Sequence, residues 1–180
     1  MLTKQISRSK PEYGPIPVMD SQGTSHEANN PAEKSFLTLK SFLESRSSVE
    51  KALRLLDPTV EIGIVIGDSI DCALMVRDGK PQLERRAAVT PDLVFSIRPE
   101  TVELLNERTK DDAGDIAVNI LKEMVAGNLS MRVEANVLDL LRRGYLRLVN
   151  HGGPAVSDFI SKHGLANVSD IMSAIKKMRP

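Results

Sequence analysis

Residues 60–97 read VEIGIVIGDSIDCALMVRDGKPQLERRAAVTPDLVFSI, and the reading of this stretch decides the fold. Val60, Ile62, Ile64 and Ile66 alternate with Glu61, Gly63 and Val65, the period of two that turns one face of a strand toward a core. Gly67-Asp68 suits a two-residue type II′ turn, since glycine accepts positive φ at the first central position. Ile70, Cys72, Leu74 and Val76 form the next row, and Asp78-Gly79 is the signal of a type I′ hairpin. Residues 82–87 include Glu84, Arg85 and Arg86, which predicts an edge strand, charged as edges often are. After Thr90-Pro91-Asp92, Leu93, Phe95 and Ile97 alternate with Val94 and Ser96, until Arg98-Pro99-Glu100 opens a helix with proline at its first position. The stretch therefore predicts a meander of four strands feeding a helix.

Upstream, Asn30-Pro31-Ala32-Glu33 predicts a helix start, with Phe36, Leu39, Phe42 and Leu43 on one face. A break at residues 45–48 and a capping box from Ser47 to Glu50 then lead to Val49, Ala52, Leu53 and Leu56, so one kinked or two short helices precede the sheet. Downstream, residues 99–106 predict a short helix, and Asp112 caps the next one, whose Ile116, Ile120 and Met124 fall a turn apart. Gly127-Asn128 closes that helix in a left-handed cap, and Leu129, Met131 and Val133 alternate with polar neighbours as a fifth strand. Asn136 caps a helix running through Val149 that is apolar around much of its circumference, so it is buried on several sides or borders something apolar that is not protein. Residues 155–163 form a further short helix, and Val168, Ile171, Met172 and Ile175 mark a final amphipathic one.

The 24 acidic and 24 basic residues of the 180 balance, which argues against affinity drawn from a large basic field, and two Tyr, four Phe and no Trp leave few platforms for stacked bases. Nucleic acid is not an expected partner. The one cysteine, Cys72, lies within an apolar strand row and reads as a small buried hydrophobe. His26, His151 and His163 have no metal-ligand spacing, so neither metal nor cofactor is expected. No apolar run reaches signal-peptide or membrane-spanning length, which predicts a soluble, cytoplasmic protein. Residues 1–30, with Pro11, Pro15, Pro17 and many small polar side chains, predict a flexible arm.

The order of elements resembles the sterol carrier protein type two family. The resemblance rests on Cys72 to Leu83 with Asp78-Gly79-Lys80 in the turn, on Pro91-Asp92-Leu93-Val94-Phe95-Ser96-Ile97, and on Gly127-Asn128-Leu129-Ser130-Met131-Arg132-Val133. Where the family often carries a second glycine, this chain reads Val133-Glu134-Ala135-Asn136. The resemblance, which covers about Phe36 to His163, implies an α+β domain over residues 31–165, a five-stranded, mainly antiparallel sheet covered by helices around an apolar tunnel; residues 166–180 follow it as the amphipathic helix expected from their own spacing. It implies reversible, non-catalytic binding of a fatty acyl chain, phospholipid, sterol or prenyl and quinone lipid, with presentation to a lipid-metabolising enzyme as a further role. The expected tunnel wall is Leu74, Val76, Phe95, Ile97, Ile116, Ile120, Met124, Met131, Val133, Leu138 and Leu141. The same residues also fit a solid core.

Two alternatives stand beside it. Ile64-Val65-Ile66-Gly67-Asp68-Ser69-Ile70 resembles the nucleophile block of GDS-type esterases, in which Ser69 needs a histidine and a carboxylate; the later Gly-x-Asn-Asp and Asp-x-x-His blocks are not in the sequence. The apolar helices also suit a protein interaction module. Glu84-Arg85-Arg86 and Arg142-Arg143 offer charge for transient contact with anionic head groups, against the plainer reading of a solvated charged face.

Overall fold

A computed structural model describes residues 31–162 of the chain; the expected arm at 1–30 and the amphipathic helix at 166–180 lie outside the described residues. Helices α1 (Pro31–Ser45) and α2 (Ser47–Leu53) precede strands β1 (Ile62–Ile66), β2 (Ile70–Arg77), β3 (Lys80–Glu84) and β4 (Leu93–Ile97). Helices α3 (Pro99–Arg108) and α4 (Ala113–Val125) lead to β5 (Leu129–Val133), followed by α5 (Val137–Arg142), α6 (Tyr145–His151) and α7 (Gly153–Lys162). This is an α+β architecture with one five-stranded, mainly antiparallel sheet.

The sheet order is β3-β2-β1-β4-β5, and β1 pairs β4 in parallel, so the expected four-strand meander stops after three strands. Two features redirect the chain. The outer edge of β3 is occupied: Lys40 Nζ donates to the Leu83 carbonyl at 3.0 Å, and the Leu83 amide donates to Glu44 Oε1 at 2.8 Å, leaving that edge to α1 rather than to β4. Residues 85–92 instead cross the back of β2 and β1. Arg86 Nη2 pairs with Glu61 at 2.6 Å, the Val89 amide donates to Glu61 at 2.8 Å, and Ala88 lies over Gly63. A Cβ at Gly63 would stand 3.2 Å from Val94 and 3.7 Å from Ala88. Three strand spacings are about 14 Å, well within the reach of eight extended residues.

The turns follow their local chemistry with one exception. Asp78 (φ 51°) and Gly79 (φ 74°) form the two-residue turn with both central residues at positive φ, closed by Arg77 opposite Lys80. At the first hairpin Ile66 faces Ile70, so the loop holds three residues, Gly67, Asp68 and Ser69, rather than the expected two. The Gly67 amide is drawn to the Ile97 carbonyl of β4 at 2.9 Å, which commits it to the neighbouring strand.

Residues opposite each other across the ladder share a face, which places Ile62, Ile64 and Ile66, Leu74 and Cys72, Leu93, Phe95 and Ile97, and Leu129, Met131 and Val133 on the helix-covered side. Phe36, Leu39 and Phe42 of α1, Val102 and Leu105 of α3 and Ile116 of α4 meet them in one core. Each fully buried aliphatic side chain contributes roughly 2 kcal/mol.

Two charged side chains join the helices reciprocally. Asp111 accepts from the Ser47 amide (3.2 Å) and the Ser48 amide (3.0 Å), so α2 is capped from 63 residues away and not by the expected Ser47 to Glu50 box. Arg46 lies over the Phe42 ring at 4.1 Å and donates to the Thr109 carbonyl (2.6 Å) and the Asn106 carbonyl (3.1 Å), closing the C-terminus of α3. As expected, Asp112 caps α4 by accepting from Asp115, and Gly127 follows it at φ 75°.

The single apolar helix expected from Asn136 to Val149 is two helices. Gly144 sits between them at φ 94°, and a Cβ there would come within 2.2 Å of the Leu55 carbonyl oxygen. Only glycine permits that approach, and α5 and α6 therefore change direction at residues 143–144.

Candidate functional site

Helix α4 projects Ile116, Ile120 and Met124 from one stripe, and β4 and β5 set Phe95 directly opposite Met131. Ile116 is sealed in the core, whereas Ile120, Met124, Phe95 and Met131 are only half-buried although they pack against it. Burial thus declines along the α4 stripe. The four side chains form an apolar seam of two β-sheet residues and two α4 residues that neither water nor protein fully covers.

The other expected wall residues divide into three groups. Leu74, Ile97, Ile116 and Val133 are buried core residues, and Val76 is half-buried at the end of β2. Leu138 and Leu141 differ from expectation: they are 64% and 45% exposed. Helix α5 turns Leu140 inward, and Leu138 lies about 200° around the helix from it. Leu74 and Val76 border a pocket of about 10 Å³ with Leu53, Leu56 and Ile62. That is the space of about one water molecule, far below a lipid tail. A larger groove of about 460 Å³ lies elsewhere, lined by Ser47, Lys51, Asp111, Gly114, His151 and Pro154 among others, and by none of the expected wall residues.

Beside the seam sits a polar anchor that sequence reasoning did not find. Asp92, 2% exposed at the head of β4, accepts from Arg143, while its backbone carbonyl accepts from the Glu134 amide (2.9 Å) and the Ala135 amide (3.1 Å). This places the bend after β5 at Glu134 and Ala135, where the family glycine was expected. Asp92 Oδ2 and the Tyr145 hydroxyl are both buried without a hydrogen bond of good geometry. Burial, and next the Asp92 carboxylate, push the Tyr145 phenol far above its usual range, so it stays neutral. The anchor ties β4, the end of β5 and the α5–α6 junction together. Pro91-Asp92 ahead of an apolar strand is its only sequence signal.

Ser69 is exposed in the β1–β2 loop and makes no hydrogen bond to a histidine among the described residues. Cys72 is 1% exposed, and burial raises its thiol to about 11. Among the described residues no group of His, Cys, Asp and Glu is placed to hold a metal, and no helix is long and apolar enough to cross a membrane.

No family model and no curated protein matches the chain. Among solved structures, the ubiquinone synthesis protein UbiJ-SCP2 aligns over 68% of this chain and 94% of its own at 14% identity and a TM-score of 0.39. The sterol carrier protein domain 2 of Helicoverpa armigera aligns over 73% and 95% at 15% identity and a TM-score of 0.41. The apo form of sterol carrier protein 2 from Yarrowia lipolytica aligns over 68% and 92% at 11% identity and a TM-score of 0.36. All three carry the name of the family that the sequence resembles.

Proposed function

We propose that the chain binds an apolar lipid, without chemistry, along the seam formed by Phe95, Met131, Ile120 and Met124. The single observation that supports this is their half-buried state on the helix-covered side of the sheet, where most of the other apolar side chains are fully buried. Half-covered aliphatic and aromatic side chains on a core face gain by covering, and two of the four are methionines, whose unbranched side chains reshape around flexible chains. Ile97, Ile116 and Val133 are the buried neighbours of these residues on β4, α4 and β5, and a ligand enters by displacing α4 side chains rather than by filling a standing tunnel. The ligand class is a fatty acyl chain, phospholipid, sterol, or prenyl or quinone lipid, handed on to a lipid-metabolising enzyme.

Solvent extraction and native mass spectrometry of the full chain test the reading. The expected result is a co-purifying or added lipid bound in a one-to-one adduct. A chain that emerges free of lipid and takes up none of the four classes when they are added contradicts it.

A further inference from the structure

Four of the seven large hydrophobic side chains that stand exposed among the described residues fall within twelve consecutive positions: Leu138 and Leu141 on α5, Leu146 and Val149 on α6. Each pair is spaced three apart and so lies on one helical face. Arg142 and Arg147 are exposed directly after Leu141 and Leu146, and neither is in an ion pair among the described residues. The one acidic residue between 137 and 151, Asp139, is half-buried and held by Asn136. The other basic run is already engaged, Arg85 with Glu33 and Arg86 with Glu61 and Glu84, and on the α5–α6 side Arg143 is taken by Asp92. The molecule therefore keeps free positive charge beside bare aliphatic surface on α5 and α6.

We propose that α5 and α6 form a docking face for an anionic phospholipid bilayer. Leucine and valine enter the boundary of the acyl region, while the Arg142 and Arg147 stems lie along it and carry their guanidinium groups to lipid phosphates. Among the described residues α5 and α6 themselves carry no exposed carboxylate, which matches a negative surface. The Asp92–Arg143–Tyr145 anchor, with Asp92 and Tyr145 buried, ties the α5–α6 junction to the sheet. The inference concerns the outside of the molecule and does not depend on occupancy of the seam.

Vesicle flotation of the full chain tests it, with phosphatidylcholine alone against phosphatidylcholine containing one part in about three of phosphatidylglycerol, at low and high salt. Binding is expected to the phosphatidylglycerol vesicles and to weaken with salt. Arg142→Gln and Arg147→Gln each lower it by roughly fivefold. Leu138→Ser with Leu141→Ser, and Leu146→Ser with Val149→Ser, lower it by roughly tenfold or more. Val89→Ser, at a position 80% exposed on the β3–β4 connection, leaves it unchanged. Circular dichroism melts establish that each variant is folded. Binding that is absent, indifferent to phosphatidylglycerol or unchanged in the folded α5–α6 variants overturns the proposal. So does a dimer in light scattering that the leucine substitutions dissolve without any vesicle binding, which would assign the face to a second copy of the chain.

Discussion

Replacing Arg143 by methionine isolates the Asp92 anchor. The substitution keeps most of the aliphatic stem and removes the guanidinium, leaving a carboxylate that is 2% exposed, with its second oxygen already unpartnered. Breaking a fully buried ion pair from one side costs about 3–5 kcal/mol. Because the Arg143 side chain is 37% exposed, water reaches part of the vacated space, and the expected loss is nearer about 2–3 kcal/mol. For a folded region of this size that lowers the melting temperature by about 6–12 °C. Urea unfolding followed by circular dichroism gives the free energy directly. The double variant Arg143→Met with Asp92→Leu removes the stranded charge and is expected to recover part of the loss, so the two substitutions are non-additive. A single-variant cost below about 0.5 kcal/mol, or strictly additive single and double variants, would refute the assignment of a stabilising buried pair.

The remaining expectations concern ionisation and reactivity. Hydrogen bonds from Ser48 and then Ser47 hold the Asp111 carboxyl down at about 2, and those from Arg86 and Val89 lower Glu61, so both groups add stability that is complete above the ordinary carboxyl range and falls away below it, the Asp111 part as pH falls toward 2. Denaturant midpoints should fall between about pH 4 and pH 2, and Asp111→Asn should flatten part of that slope; an unchanged slope would remove Asp111 from the account. The Cys72 thiol, buried and raised to about 11, should resist a disulfide reagent at pH 8 in the native chain and react fully in urea. Rapid native labelling would contradict its burial.

The local chemistry of this chain was readable where a few neighbouring residues decide the outcome. Alternation found four of the five strands, charge gave the edge strand at 82–87 where it runs Lys80–Glu84, Asp78-Gly79 named its own turn, and Asp112 and Gly127 marked both ends of α4. Partners distant in sequence were not readable. Alternation says that residues 93–97 are a strand but not that they lie beside β1; Lys40 and Glu44 on Leu83, and Glu61 on Arg86, settle that. The same limit hid the capping of α2 by Asp111 and the Leu55 carbonyl that forces a glycine at 144. At the seam, spacing put Phe95, Ile120, Met124 and Met131 on core-facing sides, but period alone does not distinguish a sealed residue from a half-covered one. Leu138 and Leu141 show the cost: both were expected in the tunnel wall, and both stand at the surface.

The most direct test of lipid binding at the seam is a titration of the full chain with a fluorescent fatty acid, comparing wild type with Met131→Glu. Met131 is half-buried opposite Phe95, so a carboxylate there has access to water in the empty protein but meets the bound chain. The account predicts saturable one-to-one binding that the folded variant weakens by at least about tenfold. No saturable binding by wild type, or equal binding by the two proteins, would contradict it.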